Sequence, residues 1–200
     1  MTRAGTDSVF DRLRAVWRRG RAAAWAGLVA LGLALGAGGA AAAGAELANF
    51  DLERTDDGLY LSYTVDFELK RAVEEAIAKS VPIYFVVEAT LYRDRWYSRD
   101  KRVAQVSRVW RIVDQPLTSA YRVTFGDLSQ TYPTRAEALA AVRRALHWKL
   151  ADASQIEADS RHYVEFVFRL DTTLLPRPMQ IGIGGQPDWT LSVERVQHLP

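Results

Sequence analysis

Strict alternation of apolar and polar residues predicts a β-hairpin in the first part of the chain. Over residues 59–67 one face of the predicted strand is formed by Leu59, Leu61, Tyr63, Val65 and Phe67. Because successive side chains of a strand point to opposite faces, this pattern indicates a half-buried strand. Residues 45–54 predict the partner strand, with Ala48, Phe50 and Leu52 in phase, and the intervening Thr-Asp-Asp-Gly sequence at 55–58 favours a tight turn.

Residues 83–92 predict a strand in the interior of a sheet. One face is formed by Ile83, Phe85, Val87, Ala89 and Leu91, and the other face is partly apolar. A strand that is apolar on one face and mixed on the other is typical of an interior position rather than an edge. A polar and aromatic connection at residues 93–101 leads to another strand at 102–114, where imperfect alternation predicts a β-bulge near residues 108–110.

Two stretches change to helical periodicity. Residues 68–80 carry an apolar stripe formed by Leu69, Ala72, Val73, Ala76 and Ile77, and Pro82 ends that helix. The second helix begins with a capping box at Thr134 and Glu137, in which the hydroxyl accepts from the N3 amide and the carboxylate reaches back. We expect it to continue to about His147, followed by a connector at residues 148–159.

Further strands are predicted at residues 120–125, 161–171, 179–183 and 188–196, with a turn at 184–187. About seven strands, mostly joined as hairpins, favour a mainly β fold. We expect an immunoglobulin-like antiparallel β-sandwich with two inserted amphipathic helices, built as a single domain over residues 45–200. The alternative is an α+β sheet with both helices on one face.

Residues 1–44 have the three parts of a secretory signal peptide. An Arg-rich segment precedes an apolar run at 22–39, and small residues follow at 40–45. We expect cleavage near residues 43–45 and a periplasmic or secreted protein. The alternative is an uncleaved anchor in the inner membrane, because the apolar run is close to the ~20 residues needed to span a bilayer.

Charge argues against nucleic acid as a partner. The chain has 26 basic and 24 acidic side chains, of which six basic and two acidic lie in residues 1–44. Residues 45–200 therefore hold 20 basic and 22 acidic side chains, a net charge of −2. A domain with this balance has no bulk attraction to phosphate, so the membrane contact that we expect is through the N-terminal segment only.

The connection after residue 92 is the candidate binding site. It interleaves cations with aromatic residues: Arg93, Arg95, Trp96, Tyr97, Arg99 and Asp100. Such a set suits a sugar ring, a peptide or an anionic lipid headgroup. The structural alternative is that Arg and Trp stack across the hairpin by cation–π contact and cover the edge of the core, while Asp94 and Asp100 pair locally.

Other chemistry has weaker support in the sequence. The chain has no cysteine, which excludes disulfides and thiolate sites, and its three histidines show no metal-ligand spacing. We therefore expect no metal and no cofactor. Glu88 and Glu165 on predicted strands, with Asp171, could supply a carboxylate pair for acid–base work, although such residues are commonly the solvated face of a sheet.

Six short motifs carry a resemblance to a known family. They are Arg-Asp-Arg-Trp-Tyr at 93–97, Val-Trp-Arg-Ile at 109–112, Pro-Leu-Thr at 116–118, Tyr-Arg-Val at 121–123, Glu-Ala-Leu at 137–139 and Arg-Leu-Asp-Thr at 169–172 with prolines and Gln180 beyond. Together they resemble an exported proteobacterial group, domain-of-unknown-function family 4390. That family more often has Trp at the position of Tyr97 and Gly at the position of Val81.

The resemblance implies an envelope location and a gene often found near a two-component system of the nitrogen-regulatory type. It brings no activity and no catalytic residues. We therefore expect a non-enzymatic interaction module whose partner is an envelope protein or a cell-wall component. The alternatives are a cell-wall or glycan-directed enzyme that uses the strand carboxylates, and a membrane-anchored accessory to a sensor kinase.

Overall fold

The structure is a computed structural model that describes residues 44–97, 99–183 and 186–199. The predicted signal peptide lies outside these residues except for Gly44, and the glycines of the predicted 184–187 turn lie outside them as well. The described strands are β1 (Ala45–Thr55), β2 (Gly58–Phe67), β3 (Ile83–Arg93), β4 (Lys101–Gln115), β5 (Ala120–Phe125), β6 (Leu128–Tyr132), β7 (Arg144–Asp152), β8 (His162–Leu170) and β9 (Ser192–His198). The helices are α1 (Arg71–Ala78), α2 (Arg135–Arg143) and α3 (Arg177–Ile183).

The strands form two antiparallel sheets. The three-stranded sheet has the order β1-β2-β7, and the six-stranded sheet has the order β6-β5-β4-β3-β8-β9. Aromatic side chains join the two sheets: the Phe67 ring lies 5.3 Å from that of Phe85, and the Phe50 ring lies 5.3 Å from that of Phe166. The mainly β, antiparallel sandwich with inserted helices is therefore confirmed.

The interior position of β3 is confirmed. It pairs with β4 on one side and with β8 on the other, and all five of its predicted core residues are buried. The first hairpin also forms as predicted. In its turn, Asp57 accepts hydrogen bonds from the hydroxyls of Thr55 at 2.6 Å and Tyr60 at 2.5 Å, and these bonds lower the pKa of Asp57 to about 2.

The second helix is shorter than its pattern indicates. The Thr134 half of the predicted capping box is confirmed, since the Glu137 amide donates to Thr134 Oγ1 at 3.2 Å, whereas the Glu137 carboxylate accepts from the Thr134 hydroxyl at 3.0 Å. The helix ends at Arg143. The prediction of helix to His147 and of a connector beyond it is wrong, because β7 occupies residues 144–152 and pairs with β2. The pairing is irregular and His147 has a φ of 50°, so β7 lacks the simple alternation that identifies a strand.

Three other details differ from the predictions. Residues 179–183 belong to helix α3, which prolines at 176 and 178 favour because a proline in the first turn needs no amide hydrogen bond. The last strand begins at Ser192, after a 3-10 turn over Pro187–Trp189. The register shift in β4 lies at Val103, since Leu91 pairs with Ala104 and Tyr92 with Arg102, so the bulge predicted near 108–110 is misplaced. Strand β6 is a further element that was not predicted, because its five residues are mostly exposed and too few to show a clear alternation.

Candidate functional site

The candidate residues lie where β3 passes into β4, at one end of the six-stranded sheet. We call residues 93–97 and 99–102 the hairpin end. Arg93 closes β3 and pairs with both Lys101 of β4 and His162 of β8. The end of the central strand therefore places these side chains beside the start of β8.

Two ion pairs attach the hairpin end to the segment before β8. The guanidinium of Arg93 binds the carboxylate of Glu157. Asp94 binds Arg161 through a 3.2 Å ion pair, and its amide donates to the Arg161 carbonyl at 2.9 Å. These contacts join residues that are more than sixty positions apart in the chain, so they fix the base of the hairpin end to the rest of the sheet.

Asp100 organises the interior of the connection. One carboxylate oxygen accepts from the Arg95 amide at 3.0 Å, and the other accepts from the Tyr163 hydroxyl at 2.8 Å. Burial raises the pKa of Tyr163 above its ordinary value, and the hydrogen bond to Asp100 raises it further. Asp94 and Asp100 therefore bind partners outside the connection, Arg161 and Tyr163, while Asp100 also accepts from the Arg95 amide within it.

Trp96 and Tyr97 project from the tip. Trp96 is 92% exposed and Tyr97 is 69% exposed, and their rings meet edge to face with centroids 5.3 Å apart. The interpretation that Trp96 covers the edge of the core is thus wrong, because so exposed a ring shields little apolar surface. Arg99 is exposed beside them, while Arg95 is half-buried with its Nε atom lacking a hydrogen-bond partner among the described residues.

An aromatic row continues from the hairpin end across the outer face of the sheet. Tyr92 of β3 stacks on Tyr163 of β8 at 5.3 Å, and the Tyr163 ring lies 5.6 Å from that of His198 in β9. Because the row runs perpendicular to the strands, its members are far apart in sequence. Only the register between β3, β8 and β9 reveals it, and no local sequence signal could have found it.

Two of the three candidate acid–base carboxylates form ion pairs with one arginine. Arg169 Nη2 lies 2.8 Å from Glu88 Oε1 and 3.5 Å from Asp171 Oδ2. Glu165 is exposed and sits opposite Thr90, two positions along the sheet from Glu88. The structure brings Glu88 and Asp171 to one guanidinium that links adjacent strands, an arrangement that favours a structural role for both.

The described histidines have separate surroundings. His147 stacks on Tyr60 at 3.9 Å, and buried His162 has its Nδ1 atom 2.9 Å from the Ser160 carbonyl oxygen. Within residues 44–97, 99–183 and 186–199, no cluster of three or more His, Asp or Glu side chains could hold a metal ion. Among the same residues, no helix is long and apolar enough to cross a membrane.

A partly buried polar cluster lies between the sheets, away from the hairpin end. The Arg108 guanidinium of β4 sits 4.5 Å from the Trp148 ring centre and 5.2 Å from that of Phe125. Behind it, the Tyr63 hydroxyl and Trp110 Nε1 are buried without hydrogen-bond partners in the described part of the chain. Burial raises the pKa of Tyr63 to about 12.

Comparison with known proteins gives one match. A family model described as a domain of unknown function (DUF4390) matches residues 42–198, which is most of the chain. Neither a search of curated proteins nor a search of solved structures found a match.

Proposed function

The chain belongs to the DUF4390 family, whose description assigns no activity, and we propose that it is a non-enzymatic interaction module of the cell envelope that binds its partner through the hairpin end. The observation that carries this proposal is the exposure of Trp96 and Tyr97 side by side at a tip that ion pairs hold in place.

Exposed aromatic pairs are informative because they are unfavourable in water. Trp and Tyr bury large areas when they find a partner, and they dominate the energetics of many interfaces. The contacts of Arg93, Asp94 and Asp100 order the residues around the tip before any partner arrives. Binding there would lose less conformational entropy than binding to a mobile loop.

The location in the envelope rests on the charge and hydropathy pattern of residues 1–44. If that segment directs export and is removed, the purified mature protein begins near Ala45 or Glu46. N-terminal sequencing of protein recovered from the periplasmic fraction tests this directly. An intact N-terminus in the membrane fraction would instead support the anchored form.

A pull-down from envelope extract tests the binding site. The Trp96→Ala/Tyr97→Ala protein should lose the partner that wild-type protein retains. The matched control is Leu117→Ala/Leu128→Ala, which removes two exposed apolar side chains outside the hairpin end. Equal recovery of the partner by wild-type protein and the Trp96/Tyr97 variant would count against this site.

A further inference from the structure

We propose that the partner of the hairpin end is an anionic lipid surface, into whose interface Trp96 and Tyr97 insert. This inference rests on the proposed function, because it names the partner of the same site. It also departs from the expectation that only the N-terminal segment meets a membrane.

The charge of the hairpin end is opposite to that of the domain around it. Residues 93–102 contain five basic and two acidic side chains, a net charge of +3. Because residues 45–200 together carry −2, the rest of the domain carries −5. An anionic surface therefore attracts this end of the molecule and repels the remainder, which orients the domain with the tip toward the lipid.

The available side chains are those that suit a headgroup layer. Lys101 and Arg102 are exposed at the start of β4, and the Arg161 side chain remains 83% exposed although it pairs with Asp94. Trp and Tyr prefer the boundary between headgroups and acyl chains, where an apolar ring and a polar group are both accommodated. Cations placed around two projecting aromatic rings thus match an anionic interface in both charge and polarity.

The carboxylates explain why we favour lipid over a neutral glycan. Recognition of a neutral sugar usually needs carboxylate or amide acceptors beside the aromatic ring. Here Asp94 is bound to Arg161, and both oxygens of Asp100 accept hydrogen bonds from Arg95 and Tyr163. The acceptors are thus engaged in holding the tip, while Lys101, Arg102 and both aromatic rings face solvent.

The test measures insertion at Trp96 itself, since the full chain carries an apolar N-terminal segment that could bind any vesicle. Full-length wild-type and Trp96→Phe proteins are mixed with brominated-lipid vesicles, either of phosphatidylcholine alone or containing phosphatidylglycerol. Subtracting the fluorescence of the Trp96→Phe protein from that of the wild type gives the emission of Trp96 alone. We expect bromine quenching of Trp96 with phosphatidylglycerol vesicles and its loss at high ionic strength.

A charge variant completes the experiment. Lys101→Gln/Arg102→Gln should raise the vesicle concentration needed for half-maximal quenching of Trp96 by about thirtyfold. The control Arg122→Gln/Arg195→Gln removes two exposed cations elsewhere on the sheet and should leave the quenching within about threefold of wild type. Unchanged unfolding midpoints would establish that each variant is folded, as expected for substitutions at exposed positions.

Two results would overturn the lipid proposal: no quenching of Trp96, or quenching that is equal on both vesicle types and insensitive to the charge variant. If partner capture still depended on Trp96 and Tyr97, the hairpin end would remain the binding site and its partner would be a protein or a glycan. If neither measurement depended on these residues, the proposed function would fail as well.

Discussion

At the scale of single residues, the hydrophobic pattern could not predict the surroundings of the Tyr63 hydroxyl. Alternation places Tyr63 among the core residues of β2, and the structure buries it completely. The sequence does not show that its hydroxyl lacks a hydrogen-bond partner among the described residues, with the guanidinium of Arg108 nearby as the main opposing charge. A buried hydroxyl without a partner costs about 1–3 kcal/mol of folding stability. The hydroxyl therefore destabilises the core that the Tyr63 ring helps to fill.

We therefore predict that Tyr63→Phe raises the free energy of unfolding at neutral pH by about 1 kcal/mol. The folded pKa of about 12 exceeds the ordinary value of 10.0, so wild-type stability is retained below pH 10.0 and falls as the pH rises toward 12. Over this pH range the free energy of unfolding of the wild type should fall by about 2–3 kcal/mol through this group, and the variant should not show that decrease. Urea unfolding across this pH range measures both effects, with exposed Tyr97→Phe as the control; a destabilised Tyr63→Phe protein at neutral pH would contradict the prediction.

At the scale of elements, local pattern was sufficient where one face of an element is buried along its length. Strands β2 and β3 and helix α1 satisfy this condition, and all three were located from periodicity. Strand β7 does not, because His147 interrupts its alternation and a capped helix precedes it directly. Likewise, the sequence located the hairpin end, but its partners Glu157, Arg161 and Tyr163 depend on pairing between β3 and β8, which no local pattern encodes.

The cap of α2 permits a test at this scale. Thr134→Ala removes the acceptor for the Glu137 amide, so we expect a loss of about 1 kcal/mol in the free energy of unfolding. Thr131→Ala is the control, since Thr131 is an exposed residue of β6. Chemical denaturation of both proteins gives the comparison. Equal stability of the two variants would show that the cap contributes little to a helix already held by its buried face.

For the whole molecule, the decisive feature is the aromatic layer between the sheets. Phe166 of β8 contacts both Phe50 and Tyr63 across this layer, with ring centres 5.3 Å and 5.0 Å away. Sequence pattern predicted a sandwich because nearly every strand has one apolar face. It could not assign each strand to a sheet. Along the chain β7 lies between β6 and β8, which both belong to the larger sheet, yet β7 pairs with β2 in the smaller one.

We expect Phe166→Ala to cost about 3–5 kcal/mol, because it removes a ring shared by both sheets and leaves a cavity. Against a total stability of about 5–15 kcal/mol, this would shift the urea midpoint strongly. Circular dichroism and tryptophan fluorescence should report one coincident transition if the sheets unfold together. Exposed Leu128→Ala serves as the control and should change stability by no more than about 0.5 kcal/mol; two separate transitions would contradict the joint unfolding.

The ring contact between Phe67 and Phe85 shows at which end of β3 the chain enters the domain. Ala45 pairs with Phe67, so the chain enters the sandwich at the level of Phe85, whereas Trp96 lies beyond Arg93 at the opposite end of β3. Eight residues of strand separate those levels, about 27 Å at about 3.4 Å per residue. The start of the domain and its aromatic tip therefore lie toward opposite ends of β3, so a partner bound at the tip would not meet the point where the chain enters the sandwich.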